Sequence, residues 1–419
     1  MIHVVFLAVL NGLLLNGTGL PAVVRRLLRI FGVYVLLAFT LRSAALVIFD
    51  PKPAAGSFAL GVLRSPTYLA GLTRVLPIVN LGLLSLLVAV HVLTRRWPGR
   101  AWEPVPSRVR LPALIGVLVV GHLLRIVAQV SPSGPLGQLG GRGGLIAPTV
   151  IAFVVLGTDW RKAGRLTRQF LVVAAALELV WAAVEASKTP ILALLIIFYL
   201  DPNRARVSAK AVAVTAGAAL LAFTVIQGLK PIPQTQYEAA SSPVERITLN
   251  LSNRFDGLRA AGYAKERGQG SYPTVASALR VAGVNLVPQS LSGNAKVPAG
   301  IRWGSEIYGI PNNTTYYAET LSAEGFVVGG ALGVVLWNLI GGGLIVALAR
   351  GLRSTRVPVR LLACSVAVSS ALFERGLLGQ AELLGVALQG CLVMFAVLLL
   401  LSRAAVPTVT WRPTTKVGS

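Results

Sequence analysis

The feature that most limits how this chain can fold is a repeated one. Predominantly apolar runs, most of them about 20 residues long, alternate with arginine-rich or Gly/Pro-rich breaks. A helix rising 1.5 Å per residue needs about that length to cross a hydrocarbon layer about 30 Å thick. The runs fall near 2–20, 30–49, 75–94, 111–130, 144–158, 169–187, 189–200, 211–228, 323–349, 359–373 and 382–402, which predicts eleven spans. The run 189–200 is short for a full crossing, so it predicts a helix that tilts, merges with its neighbour or starts inside a cavity. A membrane β-barrel would instead need short segments of alternating polarity, and the sequence has no such pattern. Of the 419 residues, 54% are hydrophobic and 13% charged, more apolar sequence than a soluble domain needs. The expected fold class is an all-α polytopic membrane protein with one large external loop carrying amphipathic helices.

The formal net charge is +24. In a soluble protein that would point to nucleic acid. Here topology accounts for it, and no nucleic-acid partner is expected. Arg25, Arg26 and Arg29 fall in one connection, and Arg95, Arg96, Arg100, Arg108 and Arg110 in an alternate one. Further alternate connections hold Arg161, Lys162, Arg165 and Arg168, then Arg204, Arg206 and Lys210. The last two hold Arg350, Arg353, Arg356 and Arg360, then Arg403, Arg412 and Lys416. An eleven-span count puts these 22 of the 39 basic residues on one side, which the positive-inside rule makes cytoplasmic. The N-terminus is then outside and the C-terminus inside. The opening MIHVVFLAVLNGLLLNG lacks the basic region of a signal peptide and predicts a retained first span. Cys364 and Cys391 lie in predicted spans, and His3, His91 and His122 are scattered, so neither a disulfide framework nor a metal site is expected.

The chain divides into an N-terminal transmembrane bundle (1–228), a large extracytoplasmic loop (229–322), C-terminal transmembrane helices (323–402) and a cytoplasmic tail (403–419). A connection as long as the loop is usually functional in a compact protein. Within it Ile247, Leu251, Phe255 and Leu258 form an apolar stripe at helical spacing, beside Arg246, Asn250 and Arg254. That predicts an amphipathic helix on the membrane surface or over a cavity. The stretch PTVASALRVAGVNLVP predicts a second helix, and the Gly/Pro/Asn-rich remainder predicts irregular chain.

Some charges sit outside the arginine-rich loops. Arg42 and Arg125 fall in the outer halves of the second and fourth predicted spans, and Lys188 and Arg375 at outer turns. Charges at membrane depth face a cavity, a partner or the headgroups. Four cations near one leaflet predict an anion pocket. Their structural alternatives are snorkelling and pairing with Glu185 or Glu374. Glu178 and Glu382 also lie in spans, as partners of these cations or as the carboxylates of a proton-coupled carrier.

Three local patterns then carry a resemblance. Glu319-x5-Gly325-x3-Gly329 stands where the large loop re-enters the membrane. Asn253-Arg254-Phe255-Asp256 stands in the loop, and SKTPILALLI at 187–196 leads from a turn into an apolar helix. From about residue 180 to 380, and in topology, the chain resembles the bacterial oligosaccharide repeat-unit polymerases (Wzy type) and the related O-antigen ligases. PNNTTYY, near the end of the loop, lacks the histidine usual in the ligases.

The resemblance implies a GT-C-like, metal-independent glycosyltransferase in the bacterial inner (plasma) membrane, with no cofactor. Its substrate would be an undecaprenyl-pyrophosphate-linked oligosaccharide, and a chain-length regulator and a flippase would be candidate partners beside the bilayer. The reaction needs a carboxylate to take the acceptor hydroxyl's proton and cations to stabilise the leaving diphosphate. Glu319 is the first candidate base, Asp256 the second and Glu306 the third, with Arg254 on the pyrophosphate. Arg42, Arg125, Lys188, Arg302 and Arg375 are further candidate binding residues, and Trp303, Tyr316 and Tyr317 candidate sugar-stacking residues. Glu319 and Glu324 could equally complement a helix N-terminus. The main rival function is a transporter or flippase, with Glu178, Glu185 and Glu382 forming a cation path. A lipid-monophosphate glycosyltransferase and a structural envelope subunit complete the alternatives.

Overall fold

The computed structural model describes residues 2–49, 68–97, 109–130, 135–159, 163–185, 187, 189–202, 257–270, 274–287, 298–309, 319–369 and 371–403. Lys188, Arg254, Asp256, Tyr316 and Tyr317 lie outside these residues, as do the predicted span 211–228 and most of the first predicted loop helix.

The described chain is helical. Its elements are α1 (Ile2–Asn16), α2 (Ala22–Val35), a π-helical turn (Leu36–Thr40), α3 (Leu41–Phe49), α4 (Tyr68–Thr94), α5 (Leu111–Val130), α6 (Pro135–Gly157), α7 (Arg165–Val184) and α8 (Thr189–Leu200). The loop region supplies α9 (Gly257–Arg267), α10 (Val275–Leu286) and α11 (Ala299–Glu306). Then come α12 (Leu321–Leu352), α13 (Val357–Ala367), the single turn α14 (Ala371–Glu374) and α15 (Leu377–Arg403).

Among the described residues five helical segments are long and apolar enough to cross a membrane: Gly71–Thr94, Leu111–Val130, Arg165–Val184, Leu321–Leu352 and Leu377–Leu401. Shorter apolar helices accompany them, Ile2–Asn16 and Thr189–Leu200 among these. The described residues are thus those of a helical, membrane-embedded protein; five such segments stand among them, and the predicted span 211–228 lies outside them. The outer surface agrees. Ile115, Val119, Leu123, Ile126 and Val130 leave one face of α5 exposed, and Leu388, Leu392, Phe395 and Leu399 do the same on α15. Stripes at three- and four-residue spacing on the outside of a bundle suit acyl chains and would be a liability in water. Inside, apolar side chains from α1, α2, α4, α6, α12 and α13 form one continuous core.

The second predicted span runs without interruption over 22–49, but through a π-turn. Asn11 donates there to the Thr40 hydroxyl (3.0 Å) and the Gly32 carbonyl (3.3 Å), joining α1 to the turn. Arg42 follows directly and is half-buried.

The largest departure from expectation is in α12. The backbone leaves helical geometry at Gly329 (φ −150°, ψ 25°) and Gly330 (φ 58°, ψ −142°). The second pair of angles is open essentially to glycine alone. The chain reverses there. A Cβ on Gly325 would stand 2.6 Å from the Gly333 carbonyl oxygen, so the two backbones touch. Asn338 Nδ2 donates to Ser322 Oγ at 3.3 Å. In a straight helix those residues would be about 24 Å apart. A Cβ on Gly341 would meet the Leu321 side chain. A short half-helix, α12a (321–328), therefore folds back antiparallel on α12b (331–352). At 1.5 Å per residue α12b alone is about 33 Å long, still enough to cross. What reads as one entry into the bilayer is a re-entrant hairpin.

Candidate functional site

Because α12a runs backwards along α12b, its first residues lie beside the middle of α12b. Leu321 packs against Gly341, roughly 15 Å along α12b from the reversal. Glu319 and Glu324 are therefore carried into the bundle. Both are 1% exposed. Glu319 is expected where the large loop re-enters the membrane; it does stand at the mouth of α12a, and that mouth is itself internal.

A second chain break meets them. Between α13 and α15 the chain is non-helical at Val368–Ser369 and at Arg375–Gly376, on either side of the single turn α14. Glu319 Oε2 accepts from Gly376 N–H at 3.3 Å, and Thr320 N–H donates to the Glu374 carbonyl at 3.3 Å. Both oxygens of Glu324 lie 3.3 Å from Leu378 N–H, in the first turn of α15. Glu324 thus complements the N-terminus of α15 as well as standing in the first turn of its own helix. Gln380 Nε2 closes the break by donating to the Leu372 carbonyl at 2.9 Å.

Glu319 is placed differently. Its Oε1 is buried and has no hydrogen-bond partner among the described residues. The charged groups near it include Arg375, Glu382 and Glu324. The next residue, Thr320, has φ 55°, a left-handed backbone that a β-branched residue rarely adopts. It is held by its cap, the Thr320 hydroxyl accepting from Ala323 N–H at 3.3 Å. Backbone strain of this kind costs about 1–3 kcal/mol and persists where the surroundings enforce it.

The helices of the large loop converge on the same two breaks. Gly270 N–H, just after α9, donates to the Val327 carbonyl of α12a at 2.9 Å, and the Lys265 ammonium lies 4.7 Å from the Phe326 ring centroid. Asn285 of α10 donates to the Leu378 carbonyl at 3.4 Å. Ala299 N–H, at the start of α11, donates to Glu382 Oε2 at 3.3 Å. α9 does not lie flat on the membrane surface: Gly257 to Gly262 and Ala264 are buried. A side chain at Gly257 would collide with the Phe39 ring.

The other predicted site residues fall as follows. Arg375 pairs with Glu382 at 3.4 Å beside the Glu319 break. Glu382 therefore holds an arginine and a loop-helix N-terminus, two partners that a cation-path role would have to displace. Arg302 is bound to Glu306 at 2.7 Å in a surface i, i+4 pair, which also engages the third-choice base. Trp303 is fully buried and meets Tyr308 edge-on (6.4 Å), so its faces are not open to a sugar.

Arg125 lies 2.5 Å from Glu178 Oε1 and 3.4 Å from Glu185 Oε1, with its guanidinium 5.2 Å from the Trp181 ring centroid. Trp181 in turn donates to His122 Nδ1 at 2.8 Å. Arg125 is 3% exposed and Glu178 fully buried, so the arginine's charge is met inside the protein. Substituting Arg125→Met should strand Glu178 and destabilise the protein by about 3–5 kcal/mol. The double variant with Glu178→Leu should regain most of that, as read by thermal unfolding in detergent. A single variant as stable as wild type would show that the pair is not held.

Two cations escaped the sequence reading. Arg259 is buried, 4.8 Å from the Tyr308 ring centroid and 5.7 Å from that of Tyr263. The Arg259/Tyr263 pair has i, i+4 spacing in a short helix, and that signal was available. Arg360, counted as a loop arginine, is 2% exposed and donates to the Phe153 carbonyl at 2.9 Å. No sequence signal marks a contact to residue 153.

The arrangement joins a buried carboxylate oxygen that has no hydrogen-bond partner among the described residues, an arginine–glutamate pair and three loop helices at two helix breaks. Scans against protein-family models, curated proteins and solved structures return no match for this chain.

Proposed function

We propose that this protein is a membrane glycosyltransferase that polymerises undecaprenyl-pyrophosphate-linked oligosaccharide repeat units at the outer leaflet. The observation that carries the reading is the buried, unpartnered Oε1 of Glu319 at the origin of a re-entrant half-helix, next to Arg375. Glu319, Gly325 and Gly329 also have separable physical roles. The glutamate lies at the inner end of the half-helix, Gly325 touches α12b and Gly329 begins the reversal.

In this reading the Glu319 carboxylate takes the acceptor sugar's hydroxyl proton as its oxygen attacks the anomeric carbon. The bond from that carbon to the pyrophosphate oxygen breaks. Arg375 and Arg254 stabilise the diphosphate that leaves. Arg125 drops out of the set of pyrophosphate ligands because Glu178 and Glu185 already hold it.

A second reading, a transporter of lipid-linked glycan, draws on the meeting of two discontinuous helices inside the bundle, a common design of carrier sites. A deletion strain separates the two. Accumulation of single lipid-linked repeat units outside the membrane, with loss of polymer, is expected for the polymerase. Repeat units trapped on the cytoplasmic face would support the transporter, and unchanged surface glycan would remove both.

A further inference from the structure

Along α12b, about 13 Å beyond the level of Leu321, lies a separate feature. There α4 and α12b end side by side. Leu93 near the end of α4, Arg96 and Trp97 in the turn after it, Arg350 near the end of α12b and its C-cap Arg353 line an open cavity of about 450 Å³, in which Arg96 and Arg350 are exposed. That lies within the range of small-ligand sites, about 300–1,000 Å³. The guanidinium carbons of Arg350 and Arg353 lie 5.4 and 5.6 Å from the centroid of the same Trp97 ring. One indole thus gathers two cations, and Arg96 adds a third. Among the described residues no carboxylate pairs with any of them. The carbonyl ends of two helices supply only about half a negative charge each, so most of the positive charge is left over. Val92 and Leu93, just before the cavity, are exposed apolar side chains, so it opens at the edge of the lipid-facing girdle.

We propose that this cavity binds a phosphate-bearing anion, with Arg350 and Arg353 donating forked hydrogen bonds to its oxygens and Trp97 holding the two guanidinium planes. Arginine suits that geometry better than lysine, and tryptophan is the strongest partner for a guanidinium. Two sources carry this chemistry: the phosphodiester of an anionic lipid headgroup and a free phosphate or pyrophosphate.

The test uses the full-length protein. It is placed in nanodiscs of phosphatidylglycerol or phosphatidylcholine, and separately titrated in neutral detergent with inorganic phosphate and pyrophosphate. Retained lipid is read by native mass spectrometry and binding by thermal shift. The variants are Arg350→Gln/Arg353→Gln, which removes the fork, and Trp97→Leu, which keeps all three charges. Arg165→Gln, at the exposed start of α7, is the control. Wild type and control should bind one of the two sources, with the double variant at least about tenfold weaker and Trp97→Leu in between. Selective retention of phosphatidylglycerol identifies the lipid headgroup, and a phosphate-dependent shift in detergent identifies the free anion. Equal binding by all four proteins, or no binding by wild type, overturns the proposal.

Discussion

Replacing Glu319 with glutamine is expected to abolish surface polymer while the protein remains in the membrane at wild-type abundance. The substitution keeps the side chain's shape and an acceptor for Gly376 N–H. It removes the charge from a buried carboxylate whose Oε1 has no hydrogen-bond partner among the described residues. Loss of a general base typically lowers a rate by about 10²–10⁴-fold, enough to leave single repeat units as the dominant product. Glycan length on gels, protein abundance by immunoblot and unfolding temperature together read the outcome. Glu324→Gln is the internal comparison. Both oxygens of Glu324 face the first turn of α15, so its loss should cost about 0.3–2 kcal/mol of stability and act on rate only through folding. Normal polymer from Glu319→Gln would remove it as the base. An equal loss from both variants at matched abundance would mean that the two carboxylates work as a pair.

The second large effect concerns the hairpin. Gly333→Val should prevent stable assembly, because its Cβ would run into the carbonyl oxygen of Gly325. Overpacking a tight contact costs about 1–3 kcal/mol when side chains can yield, and here the obstacle is backbone. Gly343→Ala, ten residues on, is the matched control. Its Cβ would meet only Leu93 Cδ1, at 3.9 Å. A direct check is a Ser322→Cys/Asn338→Cys pair, which should form a disulfide on mild oxidation. In one straight helix the two thiols would be about 24 Å apart and could not join. An unbridged pair together with a stable Gly333→Val protein would mean that α12 is a single rod, and the internal position of Glu319 would go with it.

These two experiments bear on the part of the site that the sequence partly disclosed. Glu319, Gly325 and Gly329 stand out as a spaced motif, and two acids before an apolar run are conspicuous. Their placement is not readable. An apolar run from Phe326 onward gives the same hydropathy whether it passes straight through or reverses at Gly329–Gly330, since glycine changes the backbone and hardly the polarity. The loop helices were partly legible. α10 falls within the predicted second loop helix, and its start has a Thr274 cap accepting from Ser277 N–H. The burial of α9 was not, because its Gly- and Ala-rich face looks unremarkable until Phe39 is packed against it. Arg125 makes the same point for charge. From sequence it is a cation at membrane depth, equally suited to a ligand or a partner. Only the approach of α7 brings Glu178, 53 residues away, to meet it.

What the amino-acid sequence settled by itself is the medium and the class of structure. Long apolar helices with exposed aliphatic stripes belong in lipid, where backbone groups must be satisfied within each helix. Tertiary structure alone decided which helices break, which carboxylate is used up as a cap and which keeps an oxygen without a described partner. Those outcomes depend on close approach between distant backbones, at Gly325 and Gly333 or at Glu324 and Leu378, and hydropathy and spacing do not encode it.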